Sequence, residues 1–245
     1  MRDIKHLADC GPFPAPCLRY LQHPESSTAG PQESAIMVTL AATFNTGDQT
    51  TPGYYGPSQT ALLLLDFHSM VIEKAGGPQA PAALQTAAKL RTWAKSQGIK
   101  VIHCLIDPNL APYPTCKGSE RLTNIVGAMK SGGGDEPGEL LEGGADITFT
   151  RRPGHVSALK SPGLKDFLHE KGIKSLVLTG LSTSGCVMRT AIASTDEEFV
   201  VTVISDGCAD AGEDVHDMIL GKVLNNRGFV TTAAQFQEGF AKARQ

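Results

Sequence analysis

Residues 174–187 read KSLVLTGLSTSGCV, a short apolar run followed by a turn rich in Gly, Ser and Thr. An apolar run of this length between turn residues is typical of a strand buried on both faces of a parallel sheet. The turn leads into a helical pattern, so the segment predicts a strand–loop–helix unit with Cys186 near the start of the helix. Such units, repeated along a chain, build an α/β fold.

Similar runs occur on both sides of this segment. Helical patterns separate them: one begins at Pro81 and ends at Gly98, one ends at Gly172, and one runs from Val215 to Val223. The alternation predicts a three-layer α/β/α fold with a six-stranded, mainly parallel sheet in the order 3-2-1-4-5-6. The predicted strands are residues 61–66, 100–107, 146–150, 174–180, 199–205 and 229–232.

Composition excludes several protein classes. The 245 residues carry 22 Lys and Arg against 25 Asp and Glu, a net charge of -3 that argues against a nucleic-acid partner. No apolar run approaches the roughly 20 residues of a membrane helix, and the N-terminus has no signal-peptide pattern. The six cysteines form no C-x-x-C pair, which favours free thiols in a reducing compartment. We therefore expect a cytoplasmic protein with no membrane partner.

The first 57 residues differ from the remainder of the chain. They contain seven of the 15 prolines together with polar tracts, which is typical of an arm rather than a domain core. Within them, residues 36–44 alternate between apolar and polar types and predict an edge strand or a segment lying across the main body. We expect an N-terminal arm at 1–57 and one domain at 58–245.

Candidate chemistry follows from the predicted strand order. In a doubly wound sheet, ligands bind beyond the carboxyl ends of the central strands, here the first and the fourth. Asp66 ends the first strand and Cys186 follows the fourth, so the two should meet. A helix N-terminus stabilises a thiolate, and a carboxylate can accept the thiol proton. Cys186 is also compatible with a small buried core residue.

Five segments resemble the isochorismatase-like cysteine hydrolase family, and together they span about residues 61–235. The resemblance implies an Asp-Lys-Cys triad that hydrolyses a C–N bond through a thioester, and Asp66 and Cys186 match it. It also implies a cis peptide bond at Leu181-Ser182, an oxyanion hole formed by the Ser182 and Cys186 amides, and a homo-oligomer. The segments are LLLLDF at 62–67, VIHCLID at 101–107, VSAL at 156–159, LVLTGLSTSGCV at 176–187 and VTVISDGCAD at 201–210.

The triad lysine has no counterpart in this chain. Residues 150–157 read TRRPGHVS where the family has the lysine, so Arg151 or Arg152 must replace it, and we favour Arg152. Arginine keeps a fixed charge but cannot pass on a proton. Residues 108–115 read PNLAPYPT and lack the metal-ligand spacing of the family's metal-binding members, so no metal or other cofactor is expected.

Five side chains are candidates for contact with a small-molecule substrate, although packing explains several of them equally well. His103, inside a strand pattern, is interpreted instead as a satisfied core or interface residue. Asp206 and Asp210, at the end of the fifth strand, are interpreted as capping or solvated residues. The substrate-contact candidates are Phe67, His68, Tyr113, Arg151 and His155.

Three functions compete at this point. The first is a cysteine hydrolase acting on a small amide, carbamoyl or ureido compound. The second is an isochorismatase, in which Asp66 would act as a general acid on a vinyl ether and yield pyruvate and 2,3-dihydro-2,3-dihydroxybenzoate without needing a nucleophile. The third is a binding module without catalysis, prompted by the missing lysine. The retained Cys186 favours the first.

Overall fold

The computed structural model describes residues 40–144 and 146–245. Most of the expected N-terminal arm, residues 1–39, lies outside the described residues. The described part of that arm, residues 40–57, contacts the domain.

Six parallel strands form one sheet in the order β3-β2-β1-β4-β5-β6. The predicted fold class and strand order are therefore confirmed. The central strand β1 is buried along its whole length, as its unbroken apolar sequence requires. The strands are β1 Thr60–Leu65, β2 Lys100–Ile106, β3 Ile147–Arg151, β4 Ser175–Leu181, β5 Val200–Ala209 and β6 Phe229–Thr231.

Helices cover both faces of the sheet. The helices α2, α4 and α8 were not predicted, although Thr232 and Gln235 form a capping box that marks the start of α8. Among the described residues, no helix is both long enough and apolar enough to cross a membrane. The helices are α1 Leu40–Thr43, α2 Ser69–Lys74, α3 Ala80–Ser96, α4 Ser119–Ala128, α5 Leu164–Glu170, α6 Met188–Asp196, α7 Glu213–Met218 and α8 Ala233–Lys242.

The apolar core consists of one cluster on each face of the sheet. Alternate residues of β1 divide between them: Leu63 and Leu65 belong to the cluster beneath α5 and α6, whereas Leu62 and Leu64 belong to the cluster beneath α3 and α8. Because both faces are covered, polar chemistry is confined to the edge where the strands end.

Residues 40–57 pack against the domain rather than extending its sheet. Leu40–Thr43 is a helical turn, so the edge strand expected for residues 36–44 is wrong in its described part. The spacing explains this outcome, since Leu40 and Phe44, four residues apart, lie on one side of a helical turn. Phe44 is buried there, with its ring centroid 5.6 Å from that of Phe236 in α8.

Candidate active site

Three strands deliver one charged or nucleophilic side chain each to the same edge of the sheet. Asp66 directly follows β1, Arg151 is the last residue of β3, and Cys186 lies between β4 and α6. Strand β2 separates β1 from β3, so a long side chain is needed to bridge this gap. The arginine side chain spans it.

Arg151 contacts both Asp66 and Cys186. Its Nη1 and Nη2 atoms donate to the two carboxylate oxygens of Asp66 at 2.9 and 2.5 Å. Nη2 also lies 3.4 Å from Cys186 Sγ, and Nε donates to the His155 carbonyl at 2.9 Å. The Arg151, Asp66 and Cys186 residues are only 1%, 5% and 3% exposed. The three side chains therefore form one buried, hydrogen-bonded unit.

Arg152, expected beside Asp66 and Cys186, lies elsewhere. Its side chain is exposed and donates to the carbonyls of Ala111 and Pro112 at 2.7 and 3.2 Å. The reason is that successive side chains of a strand point to opposite faces of the sheet. Arg151 therefore shares a face with Phe149, which packs against the cluster containing Cys186, and Arg152 does not. The placement expected for Arg152 is thus wrong. Arg151, which was expected to contact substrate, lies in the position expected for Arg152, beside Asp66 and Cys186.

The electrostatic environment favours a neutral thiol in the resting protein. Burial raises the pKa of Cys186 well above its ordinary value, and the negative charge of Asp66 raises it further, whereas Arg151 and Thr190 act in the opposite direction. The helix N-terminus expected to stabilise a thiolate is irregular here, because Gly185, with φ -97° and ψ -108°, interrupts the helical turn around Cys186.

Arg151 stays charged in this environment. Burial disfavours its charge, but the attraction of the Asp66 carboxylate exceeds that penalty, so the pKa of Arg151 lies above its ordinary value. A permanent cation beside Asp66 leaves the carboxylate as the one member of the unit suited to accepting a proton from sulfur.

A fourth buried side chain, Thr190, was missed by the sequence reasoning. Its Oγ1 lies 3.7 Å from Cys186 Sγ and accepts the Ala158 amide hydrogen at 2.9 Å. Thr190 follows Cys186 by four residues at the start of a helix, and residues at this spacing share a helix face. This spacing was the signal from which the contact could have been predicted.

The loop that carries Cys186 is tied to the end of β5 and to α7. The Ser184 amide donates to Asp210 Oδ2 at 2.6 Å, and Thr183 Oγ1 lies 2.8 Å from His216 Nδ1. The Leu181–Ser182 peptide bond is cis, as the resemblance implies. Asp210, interpreted from sequence as a capping or solvated residue, is mostly buried rather than solvated, and it caps the turn at Thr183–Val187 through the Ser184 amide.

Close backbone approach at the strand ends requires Gly180. It has φ 153°, and an added Cβ would collide with the Leu65 carbonyl. Asp66 itself has φ 54°, an uncommon value for a residue other than glycine, which turns the chain away from β1 directly at the carboxylate.

Two of the expected substrate contacts are engaged elsewhere. His68 donates from Nδ1 to the Gly134 carbonyl at 2.6 Å and accepts the Ile106 amide hydrogen at Nε2 at 3.1 Å, so both ring nitrogens are occupied. Phe67 is fully buried in the cluster beneath α3, on the sheet face opposite that of Cys186. Packing and backbone hydrogen bonds thus use both side chains, and their contact with substrate stays a prediction.

Tyr113 and His155 remain candidates for substrate contact. Their ring centroids lie 5.3 Å apart, and both side chains are partly exposed. Tyr113 donates to the Gly154 carbonyl at 3.4 Å, which joins the loop after β2 to the loop after β3. His103 is a satisfied core residue, as expected, with Glu136 at 2.7 Å and Asp146 at 3.3 Å.

In the described parts of the chain, no group of three or more His, Cys, Asp or Glu side chains is arranged to hold a metal ion. A surface cavity of about 700 Å³ lies at the opposite end of the sheet, beside Lys174, Phe199 and Arg227. Because this cavity is remote from Cys186, it is not part of the site formed by Asp66, Arg151 and Cys186.

Comparison with known proteins is consistent with this arrangement. The family model of the isochorismatase domain matches residues 60–235. A maleamate amidohydrolase from Pseudomonas putida is 26% identical over 185 residues, which cover 70% of this chain and 82% of that protein. The ureidoacrylate amidohydrolase RutB from Methylobacterium radiotolerans is 27% identical over 165 residues, covering 67% of this chain and 54% of that protein.

A solved structure has the same fold. The isochorismatase-like hydrolase from Alkaliphilus metalliredigens superposes with a TM-score of 0.60 at 25% identity, and the alignment covers 76% of this chain and 99% of that chain.

Proposed function

The chain belongs to the isochorismatase family of hydrolases, and from this premise we propose that it cleaves the C–N bond of a small amide, carbamoyl or ureido compound through a thioester. Cys186 is the nucleophile, Asp66 transfers protons and Arg151 holds Asp66 in place. The observation that carries this proposal is the guanidinium of Arg151, whose Nη2 contacts both the carboxylate and the sulfur.

In the first half of the reaction, Asp66 accepts the proton of the Cys186 thiol while sulfur attacks the substrate carbonyl carbon. The S–H bond breaks, the S–C bond forms and the carbonyl oxygen becomes an oxyanion. Asp66 then gives the proton to the leaving nitrogen, the C–N bond breaks and the amine departs. A thioester on Cys186 and an ionised Asp66 remain.

In the second half, water attacks the thioester and gives a proton to Asp66. The C–S bond breaks, the acid product forms and Asp66 returns the proton to sulfur. We propose that the backbone amides of Ser182 and Cys186 donate to the oxyanion in both halves. Arg151 transfers no proton, because its guanidinium stays charged; it orients the carboxylate and offsets its charge.

Two considerations favour an amide over the other hypotheses. Relatives in two organisms carry the name amidohydrolase, one for maleamate and one for ureidoacrylate. A vinyl-ether hydrolase needs no nucleophile, and a binding module needs no buried ion pair around a sulfur. Burying such charges is costly unless they are well paired, which favours a chemical role for the unit.

The test compares wild type with Cys186→Ala and Asp66→Asn on a panel of small amides, ureides and isochorismate. We expect both variants to lose at least about a thousandfold in kcat/KM on amides, because the nucleophile and its base are removed. Lys242→Gln, which changes an exposed side chain of α8 that pairs with Glu238 on the same helix, serves as the control and should retain activity.

Mass spectrometry of wild type with a slow amide should detect an acyl adduct on Cys186. Full isochorismate turnover by Cys186→Ala would instead support the vinyl-ether reaction. If wild type turned over no compound of the panel but bound one of them tightly, the result would support the hypothesis of a binding module.

A further inference from the structure

The hydroxyl of Thr190 faces the sulfur of Cys186 inside the protein. Thr190 Oγ1 and Cys186 Sγ lie 3.7 Å apart, and Thr190 is fully buried. The residues are four apart across the start of α6, which places them on one side of the helix. The threonine therefore touches the atom that would attack the substrate.

The direction of this hydrogen bond follows from the neighbours of the hydroxyl. A threonine hydroxyl has one hydrogen and two lone pairs. The Ala158 amide can only donate, and it occupies one lone pair at 2.9 Å. A thiolate can only accept. Once Cys186 has lost its proton, the Thr190 hydrogen therefore points to sulfur.

We infer that Thr190 is a further catalytic residue, which donates a hydrogen bond to the Cys186 thiolate while the Ala158 amide fixes the orientation of its hydroxyl. This inference rests on the proposed function, in which the thiolate attacks the substrate. No proton leaves Thr190: the S–H proton passes to Asp66, the S–C bond forms, and the Thr190 O–H bond stays intact throughout.

The donor geometry around sulfur explains why a second donor matters. Arg151 Nη2 lies 3.4 Å from Cys186 Sγ but is shared with Asp66 Oδ2 at 2.5 Å. Nη2 has two hydrogens, and its shorter contact is with the carboxylate. Thr190 adds a donor that does not contact Asp66, so it stabilises the negative sulfur from the helix side.

The experiment measures the rate constant for alkylation of Cys186 by iodoacetamide at one fixed pH, resolved from the other cysteines by peptide mass spectrometry. Thr190→Val keeps the shape but removes the hydroxyl, so the thiolate fraction and the alkylation rate should fall roughly tenfold. On the amide identified above, kcat/KM should fall by a similar factor. Thr190→Ser keeps the hydroxyl and should stay within about twofold of wild type.

Thr195→Val is the matched control. Thr195 lies in the same helix, but its hydroxyl donates to the Ile192 carbonyl at 2.8 Å, so its removal should leave Cys186 alkylation unchanged. Thr190→Ala, which is smaller and introduces no steric conflict, replaces Thr190→Val if that variant does not fold. Circular dichroism reports the fold of each variant.

A folded Thr190→Val or Thr190→Ala protein with wild-type alkylation would overturn the inference and leave the proposed function standing. A lower melting temperature with unchanged alkylation would assign Thr190 a structural role only. Conversely, amide turnover retained by Cys186→Ala would end the proposed function, and it would do so whatever the alkylation rates show.

Discussion

At the scale of single residues, Arg151 differs from the lysine of the family's triad in how it binds the carboxylate and in its inability to release a proton. Its two-pronged contact with Asp66 fixes the carboxylate in one orientation, which a point-charge lysine would do less well. A guanidinium does not release its proton, so in the proposed mechanism every proton transfer passes through Asp66. In that mechanism Arg151 relays no proton and positions the carboxylate more tightly.

Replacing Arg151 by alanine leaves Asp66 buried without its partner. Because removing one member of a buried ion pair is strongly destabilising, Arg151→Ala should lower the free energy of unfolding by about 3–5 kcal/mol and abolish activity. Arg152→Ala removes two contacts that an exposed side chain makes to carbonyls and should cost less than about 1 kcal/mol. Urea unfolding and kcat/KM measure both variants. Equal losses in the two variants would contradict the assignment.

At the scale of elements, a buried ion cluster fastens β2 to α3 and to the segment after α4. Arg91 and Lys95 of α3 contact Asp146 at 2.5 and 2.8 Å, and His103 of β2 lies between Asp146 and Glu136. The segment containing Glu136 also receives the hydrogen bond from His68 to Gly134. The cluster therefore braces the chain that follows Asp66.

This cluster makes stability depend on pH. Burial lowers the pKa of His103, but the carboxylates of Glu136 and Asp146 outweigh it, so the pKa is raised above its ordinary 6.5. A raised histidine pKa stabilises the folded state fully below the unfolded value, and this contribution is lost as the pH rises through the folded value. The destabilisation caused by His103→Gln should therefore be larger at pH 5.5 than at pH 8.5.

Urea unfolding of wild type and His103→Gln at the two pH values checks this expectation. Glu136→Gln is the matched variant, because it removes a carboxylate that raises the pKa of His103 and should weaken the same pH dependence. An identical difference between wild type and His103→Gln at both pH values would show that His103 gains no proton on folding in this range.

At the scale of the whole molecule, the chain before the first strand is part of the folded body in its described section. Phe44 closes an aromatic group with Trp93, Phe236 and Phe240, whose successive ring centroids are 5.5–5.9 Å apart. The close approach depends on Gly239, where any Cβ would collide with the Phe44 ring. Residues 40–57 therefore help to cover the face of the sheet beneath α3 and α8.

Phe44→Ala should lower the free energy of unfolding by about 3–5 kcal/mol, since it opens a cavity in this aromatic group. Tyr54→Ala is the control. Tyr54 lies in the same segment but is 49% exposed, so its loss should cost less than about 1 kcal/mol. Urea denaturation measures both. A cost for Phe44→Ala no greater than that for Tyr54→Ala would mean that the segment contributes little to stability.

Several features of the fold and site were predictable because they depend on local signals. Apolar runs bounded by Gly, Ser and Thr marked the strands, and the rule for central strands placed Asp66 and Cys186 at one edge. Helix α4 was missed although Leu122, Ile125 and Val126 fall at helical spacing, so the sequence did carry a local signal for it.

The amino-acid sequence by itself determined the strand order and the edge at which chemistry could occur, because apolar periodicity and turn residues act over a few neighbours. Only the tertiary structure decided that Arg151 and not Arg152 reaches Asp66, that His68 is occupied by two backbone groups, and that Thr190 faces sulfur. These outcomes depend on the distance that a side chain spans between segments remote in the sequence. They also depend on which polar groups the packed chain removes from water.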